Sequence, residues 1–120
     1  GFNSPAFIKN AGPAAEGVLV GTAWDSSSQS PENQKFIQAM QQKGDNPDQF
    51  AAQAYSAVYV LAEAIKRAGN KTGRADIKAG LAKVKDLPTP LGKLSFTPER
   101  DGQHPPALQQ VKDGKFAIVP

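Results

Sequence analysis

Apolar residues recur at helical spacing in the middle of the chain. The clearest stripe has apolar side chains every three or four positions: Phe50, Ala54, Val58, Leu61, Ile65 and Ala68. This spacing predicts a long helix near 47–68 with one apolar stripe. We expect a neighbouring element to bury the stripe, so a charge at Leu61 is predicted to destabilise the fold.

Capping residues predict where the other helices begin. Ser4-Pro5 and Ser30-Pro31 each place a serine before a proline, which is typical of a helix N-terminus. They predict a short first helix and a second helix near 31–43. Thr72 is a candidate cap for a further helix near 74–85.

Extended segments surround these helices. Val18-Leu19-Val20 is a continuous apolar run that predicts a buried strand, and Lys93 to Phe96 predicts another. Asp113-Gly114 stands between two extended segments and predicts a two-residue hairpin turn. The chain is therefore predicted to be α+β, with three main helices, short strands and a C-terminal hairpin. It has more helix surface than sheet to cover it, which indicates part of a larger α/β domain.

Composition excludes several classes of protein. The 120 residues are 39% hydrophobic and 21% charged and include no cysteine, which excludes disulfides, zinc–cysteine sites and cysteine catalysis. No apolar run approaches the ~18 residues of a membrane-spanning helix. The single histidine, His104, lies in an irregular stretch beside two prolines, without a nucleophile in its motif. We therefore expect no enzyme activity, no cofactor and no metal site.

Positive charge is concentrated in one segment. Residues 66–85 carry seven lysines and arginines against Asp76 alone, a net charge of +6 in a chain of net +3. One hypothesis is a free-standing interaction module that binds an acidic partner or nucleic acid through this segment. The alternative is a solvated helix face. No aromatic residue lies between 66 and 85 to stack on a base, so we expect no nucleic-acid partner.

Trp24 and Asp25 directly follow the first predicted strand. An aromatic ring and a carboxylate at a strand end are candidates to face a ligand cleft. The alternative for Trp24 is a packing role where two elements cross. The residues alone leave both interpretations open.

Several segments together resemble one family, the periplasmic solute-binding proteins of branched-chain amino-acid-type ABC transporters. They follow one another in the family's order: AGPAAEGVLV at 11–20, SPENQKF at 30–36, AYSAV at 54–58, LAEAIKRAG at 61–69, GKLSF at 92–96 and VKDGKF at 111–116. Ser56 departs from the aspartate common there, and Trp24 stands in a variable region. The resemblance spans nearly the whole chain and matches the C-terminal third of a family member.

The resemblance implies a type I periplasmic binding protein, in which two Rossmann-like α/β lobes enclose a solute and are joined by three chain crossings. By this analogy, residues 1–22 end the C-terminal lobe and residues 23–29 form a hinge crossing. Residues 30–97 belong to the N-terminal lobe, and residues 98–120 form the C-terminal hairpin. We refer to residues 23–29 as the chain crossing.

The same resemblance implies the function and the site. The protein is expected to be the substrate-binding component of an ABC importer, periplasmic or lipid-anchored outside the cell, with a signal peptide in its precursor. Its partners would be an amino acid or related small carboxylate and a membrane permease. Gly1, Phe2, Trp24 and Asp25 are the expected ligand-site residues, and the main clamp lies upstream. The isolated chain is expected to self-associate as a dimer or to pair with the upstream part.

Overall fold

A computed structural model describes residues 2–119. Its helices are α1 (Pro5–Ala11), α2 (Pro31–Gln42), α3 (Gln49–Arg67) and α4 (Arg74–Leu81), and a short 3₁₀ turn covers Gly12–Ala15. Its strands are β1 (Leu19–Thr22), β2 (Leu87–Thr89), β3 (Gly92–Phe96), β4 (Gly102–Gln103), β5 (Ala107–Lys112) and β6 (Lys115–Val119). Within residues 2–119 the strands form two small antiparallel sheets. The α+β prediction is confirmed.

The predicted N-termini of α2 and α3 are confirmed by their capping bonds. Ser30 Oγ accepts a hydrogen bond from the Asn33 N–H at 3.3 Å, and Asp48 Oδ1 accepts one from the Ala51 N–H at 2.8 Å. Each bond pairs an N–H that has no partner within its own helix. These local bonds fix the points at which α2 and α3 begin.

The prediction for α4 was right about its first residue, Arg74, and wrong about its cap and its end. Gly73, not Thr72, is the N-cap, and it makes no side-chain capping bond. The helix ends at Leu81, because the Val84 N–H bonds the Leu81 carbonyl in a tighter turn instead of continuing the helix. This turn places Val84, which is 2% exposed, in the core.

The first sheet has the order β1-β5-β6, so β1 is an edge strand. The prediction of a buried first strand was wrong, since Leu19 is 57% exposed. The hairpin prediction is confirmed: Lys112 pairs with Lys115, and Asp113 and Gly114 have φ of 52° and 69°. Positive φ at both central residues gives the turn whose twist matches the flanking strands.

The second sheet, β2-β3-β4, packs with α3 and α4 around one apolar cluster. Its buried members are Val60, Ala64, Val84 and Leu94. The two helices approach closely where Gly80 faces the backbone of Ala64. A second cluster joins α2, α3 and the β2–β3 turn to the chain crossing through Trp24, Phe36, Ala52 and Leu91.

The buried face of α3 differs from the predicted one. Its buried positions are the small or medium residues Ala52, Ser56, Val60 and Ala64. Three members of the predicted stripe remain exposed: Phe50, Val58 and Leu61, at 49%, 67% and 46%. Periodicity locates an apolar face but does not show which partner covers it, and here α4 and the second sheet cover the other side of the helix.

No helix in residues 2–119 is both long and apolar enough to cross a membrane.

Candidate ligand site at the chain crossing

The chain crossing borders a cavity of about 280 Å³ between the first sheet and the helices. Its wall comes from the N-terminal segment with α1, the first sheet, the chain crossing, α2 and the start of α3. The lining residues are Asn3, Pro5, Thr22, Trp24, Ser26, Ile37, Pro47, Asp48, Gln49, Gln109 and Phe116. A concave site of mixed apolar and polar lining, set where two halves of a chain meet, is the usual setting of a small-ligand site.

Gln49 is the centre of a hydrogen-bond network in this wall. Its Oε1 accepts from the Ala23 N–H at 2.7 Å, from Thr22 Oγ1 at 2.9 Å and from Asn3 Nδ2 at 3.0 Å. Gln49 is the first residue of α3, directly after the cap Asp48. The start of the long helix is therefore bound to the point where β1 ends.

Asn3 extends this network to the first sheet. Its Nδ2 also donates to the Gly21 carbonyl at 2.7 Å, and its Oδ1 accepts from Gln109 Nε2 at 2.6 Å. Gln109 is 8% exposed in the middle strand β5. Four polar side chains from distant positions thus hold the N-terminal segment, the neighbouring strands β1 and β5, and α3 together.

Trp24 packs and also lines the cavity. It is 7% exposed, its ring lies edge-on to Phe36 at a centroid distance of 5.6 Å, and its Nε1 donates to Asn33 Oδ1 at 2.7 Å. Asn33 is fully buried and also donates to the Ser28 carbonyl at 2.8 Å. The packing alternative for Trp24 therefore describes most of its contacts, and one surface of the residue still reaches the cavity.

The other expected site residues do not line this cavity. Asp25 Oδ1 accepts from the Ser27 N–H at 2.8 Å and from Ser27 Oγ at 2.6 Å, which closes a local turn. Phe2 is 64% exposed and packs edge-on against Phe7 at 5.0 Å. Gly1 lies outside the described residues. The structure thus brings Trp24 to the cavity, and places Phe2 and Asp25 elsewhere.

Sequence reasoning missed Asn3, Thr22, Gln49 and Gln109. One signal was available for Gln109: in a strand, residues two apart share a face, and Gln109 shares that of Val111, which is 1% exposed. A polar residue on a core-facing position needs a partner. The side chains of the network are amides and a hydroxyl, which suit binding and orientation by hydrogen bonds and supply no nucleophile–base pair.

The sequence and fold match known proteins over nearly the whole chain. The model of the family described as "Periplasmic binding protein" matches residues 3–115. This chain belongs to the periplasmic binding protein family. A Leu/Ile/Val-binding protein homolog of Brucella suis is 30% identical over 99% of the chain. A leucine-, isoleucine-, valine-, threonine- and alanine-binding protein of Pseudomonas aeruginosa is 35% identical over 76% of it.

Solved structures of solute-binding proteins share the fold. A leucine-binding protein of Thermotoga maritima superimposes with a TM-score of 0.89 at 27% identity over 98% of the chain. A branched-chain amino-acid transporter substrate-binding protein of Streptococcus pneumoniae, solved with isoleucine, gives 0.86 at 26% identity over 99%. The chain spans about a third of the length of these relatives, 33% of the Brucella protein and 34% of the Thermotoga one. The resemblance found in the sequence is confirmed, and this periplasmic binding protein segment has the α+β fold expected of it.

Proposed function

We propose that this chain is the C-terminal part of the substrate-binding component of an ABC importer. The whole protein captures an amino acid or a related small carboxylate outside the cytoplasmic membrane and delivers it to a membrane permease. The observation that carries the proposal is the family match over residues 3–115, with relatives named for binding leucine, isoleucine and valine. It favours this function over a free-standing interaction module.

In this proposal the protein works in the periplasm, or outside the cell on a lipid anchor. Residues 1–22 belong to the C-terminal lobe, residues 23–29 form a hinge, residues 30–97 belong to the N-terminal lobe, and residues 98–120 return as the terminal hairpin. The two separate sheets support this division in part: β1 pairs with the terminal hairpin, and β2 pairs with β3, while β4, within residues 98–120, stays with the second sheet.

The network around Gln49 would then act at the hinge. It attaches α3 to the end of β1 by three hydrogen bonds to one oxygen. Lobe closure around a solute needs a hinge with a defined resting geometry, because a few terminal residues of elements absorb the change in φ and ψ. Gln49, Thr22 and Asn3 would set that geometry, and Trp24 would border the solute cleft.

We further propose that the isolated 120-residue chain binds no amino acid tightly. Its amide and hydroxyl groups at the crossing are already paired with one another, and a clamshell site needs both lobes. Calorimetry with leucine, isoleucine, valine and benzoate tests both parts of the idea. We expect saturable binding by the full-length protein and none by the chain. Tight binding of any of these solutes by the isolated chain would contradict the proposal. So would a full-length protein that binds no member of a wider panel of amino acids and small carboxylates.

The uncovered apolar face of α3 supports a proposal about assembly. Phe50, Val58 and Leu61 are exposed on one stripe of the helix. Exposed apolar patches of this kind favour association. The isolated chain would therefore form a dimer through α3, or pair with the upstream part of its protein when that part is present.

A further inference from the structure

A second cavity lies away from the chain crossing, between α4 and the turn that connects β3 to β4. Its volume is about 560 Å³, within the range typical of small-molecule sites. The walls are apolar and come from Ile77, Leu81, Phe96 and Pro98. The size and lining fit the body of a small organic ligand.

Three cations stand in the lining of this cavity: Arg74, Lys78 and Arg100. All three are exposed. The ion pair found among residues 2–119 joins Glu63 to Arg67, so no carboxylate of the described residues lies within 4.0 Å of these three cations. Two of them belong to the basic segment 66–85, whose net charge is +6. The rim therefore attracts anions.

The position of Arg100 is set by its turn. The Arg100 N–H donates to the Thr97 carbonyl at 2.9 Å, and the Thr97 N–H donates to the Asp101 carbonyl at 2.9 Å. Arg100 has φ of 77°, a conformation that glycine adopts more readily than arginine. An arginine at this position therefore carries a backbone conformational cost that a glycine would avoid.

We propose that this cavity binds an amphiphilic carboxylate, an organic anion with an aliphatic body. The apolar walls take the chain, and Arg74, Lys78 and Arg100 hold the carboxylate at the rim. Inorganic phosphate fits less well, because it leaves the apolar walls uncovered. This cavity shares no lining residue with the one at the chain crossing, so it would act as a second binding site of this chain.

Decanoate is the probe that tests this site, with decan-1-ol and acetate for comparison. Amide NMR shifts of the 120-residue chain locate the binding. We expect saturable shifts at Ile77, Leu81 and Phe96 with decanoate, and much weaker ones with the neutral alcohol or the short acid. Shifts spread over Phe50, Val58 and Leu61, or equal binding of decanol and decanoate, would show non-specific adsorption to an apolar surface and overturn the proposal.

Variants that remove charge from the rim of the cavity provide a second test of the proposed site. Arg74→Gln with Lys78→Gln should weaken decanoate binding by about tenfold, since each loses a charge-assisted contact. Arg100→Gly should also weaken decanoate binding. It should not destabilise the turn, because glycine adopts a φ of 77° more readily than arginine. The matched control, Lys66→Gln with Lys71→Gln, removes the same charge from the same segment outside the cavity. If the control pair weakens binding equally, general electrostatic attraction explains the result and the proposed site is wrong. Solute binding by the full-length protein should stay unchanged in all these variants.

Discussion

Gln49 Oε1 lies 2.7 Å from the backbone nitrogen of Ala23, although 26 residues separate them in the chain. The same oxygen accepts from Thr22 and Asn3. One side chain at the start of α3 thus pairs a backbone N–H of the chain crossing that lies beyond the end of β1. A partly buried N–H left without an acceptor is costly, so this contact contributes to stability as well as to geometry.

Gln49→Leu should lower the free energy of unfolding of the chain by about 1–3 kcal/mol, because three donors lose one acceptor. Gln49→Glu keeps the acceptor oxygens and should retain most of the stability at neutral pH. Urea unfolding followed by Trp24 fluorescence measures both, since the chain contains one tryptophan. Gln41→Leu, at an exposed position of α2, is the control. Equal midpoints for Gln49→Leu and the wild type would show that water replaces Gln49 without loss.

Asn33→Ala should lower the free energy of unfolding by about 1–3 kcal/mol and shift the Trp24 emission to longer wavelength. Asn33 is fully buried and accepts from Trp24 Nε1, so its removal leaves a buried donor unpaired or admits water. Gln34→Ala is the matched control, because Gln34 donates to the same Ser28 carbonyl, at 3.0 Å, without contacting Trp24. Emission that stays the same in Asn33→Ala would contradict the assigned role.

Gly80→Ala should destabilise the chain by about 1–3 kcal/mol or more, as overpacking does in a well-packed core. An added methyl carbon would lie 2.8 Å from the carbonyl carbon of Ala64 and closer still to its oxygen. The helices α3 and α4 would have to separate. Gly21→Ala is the control, since a methyl there meets nothing within 4 Å and Gly21 is not at positive φ. Thermal unfolding of the two variants gives the comparison, and equal melting temperatures would exclude a tight helix contact.

Local signals in the sequence predicted much of the fold. Ser30 and Asp113-Gly114 act on backbone groups within three residues of themselves, so their effect is visible in the sequence. The network at the crossing was not predictable in this way, because Gln109 and Asn3 are 106 residues apart. Nothing near either residue indicates its partner.

The face of α3 shows a second limit. Helical spacing identified the stripe that contains Val58 and Leu61, but the elements of this chain pack on Ala52, Ser56, Val60 and Ala64. Ser56 satisfies its hydroxyl within the helix by donating to the Ala52 carbonyl at 2.7 Å, so a polar residue lies on a buried face without cost to the core. Small residues on that face allow the close approach of α4. Apolar periodicity selects the face with the larger apolar side chains. It does not show that a face of small residues packs against another helix at close range.

Tyr59→Phe should lower the pKa of Tyr55. The hydrogen bond between the two hydroxyls, 3.3 Å apart, is the main cause that raises the pKa of Tyr55 above 10.0, and burial and the charge of Tyr59 add to it. A raised pKa in the folded state favours the neutral phenol. Its contribution to stability is therefore complete below the ordinary pKa and is lost as the pH rises through the raised one.

Ultraviolet titration measures this effect directly. In Tyr59→Phe, Tyr55 is the one phenol left, because the chain contains two tyrosines. The Tyr55→Phe variant provides the separate curve for Tyr59, and the wild-type curve should contain a component above 10.0 that moves to lower pH in Tyr59→Phe. A Tyr55 midpoint that does not move on removal of the Tyr59 hydroxyl would rule out the hydrogen bond as the cause.

Leu61→Asp provides the last test, and the structure reverses the expectation from the sequence. Leu61 is 46% exposed, so the charge stays in water and the isolated monomer should keep its secondary structure and unfolding temperature. The wild-type chain should self-associate through the stripe of α3, since burying each large apolar side chain gains roughly 1.5–3 kcal/mol. Leu61→Asp should weaken that association strongly. Sedimentation equilibrium separates the outcomes, with Leu19→Asp, an exposed leucine on the edge strand β1, as the control. A wild-type mass of 12.7 kDa at high concentration, or equal loss of association in the control, would show that α3 is not the interface.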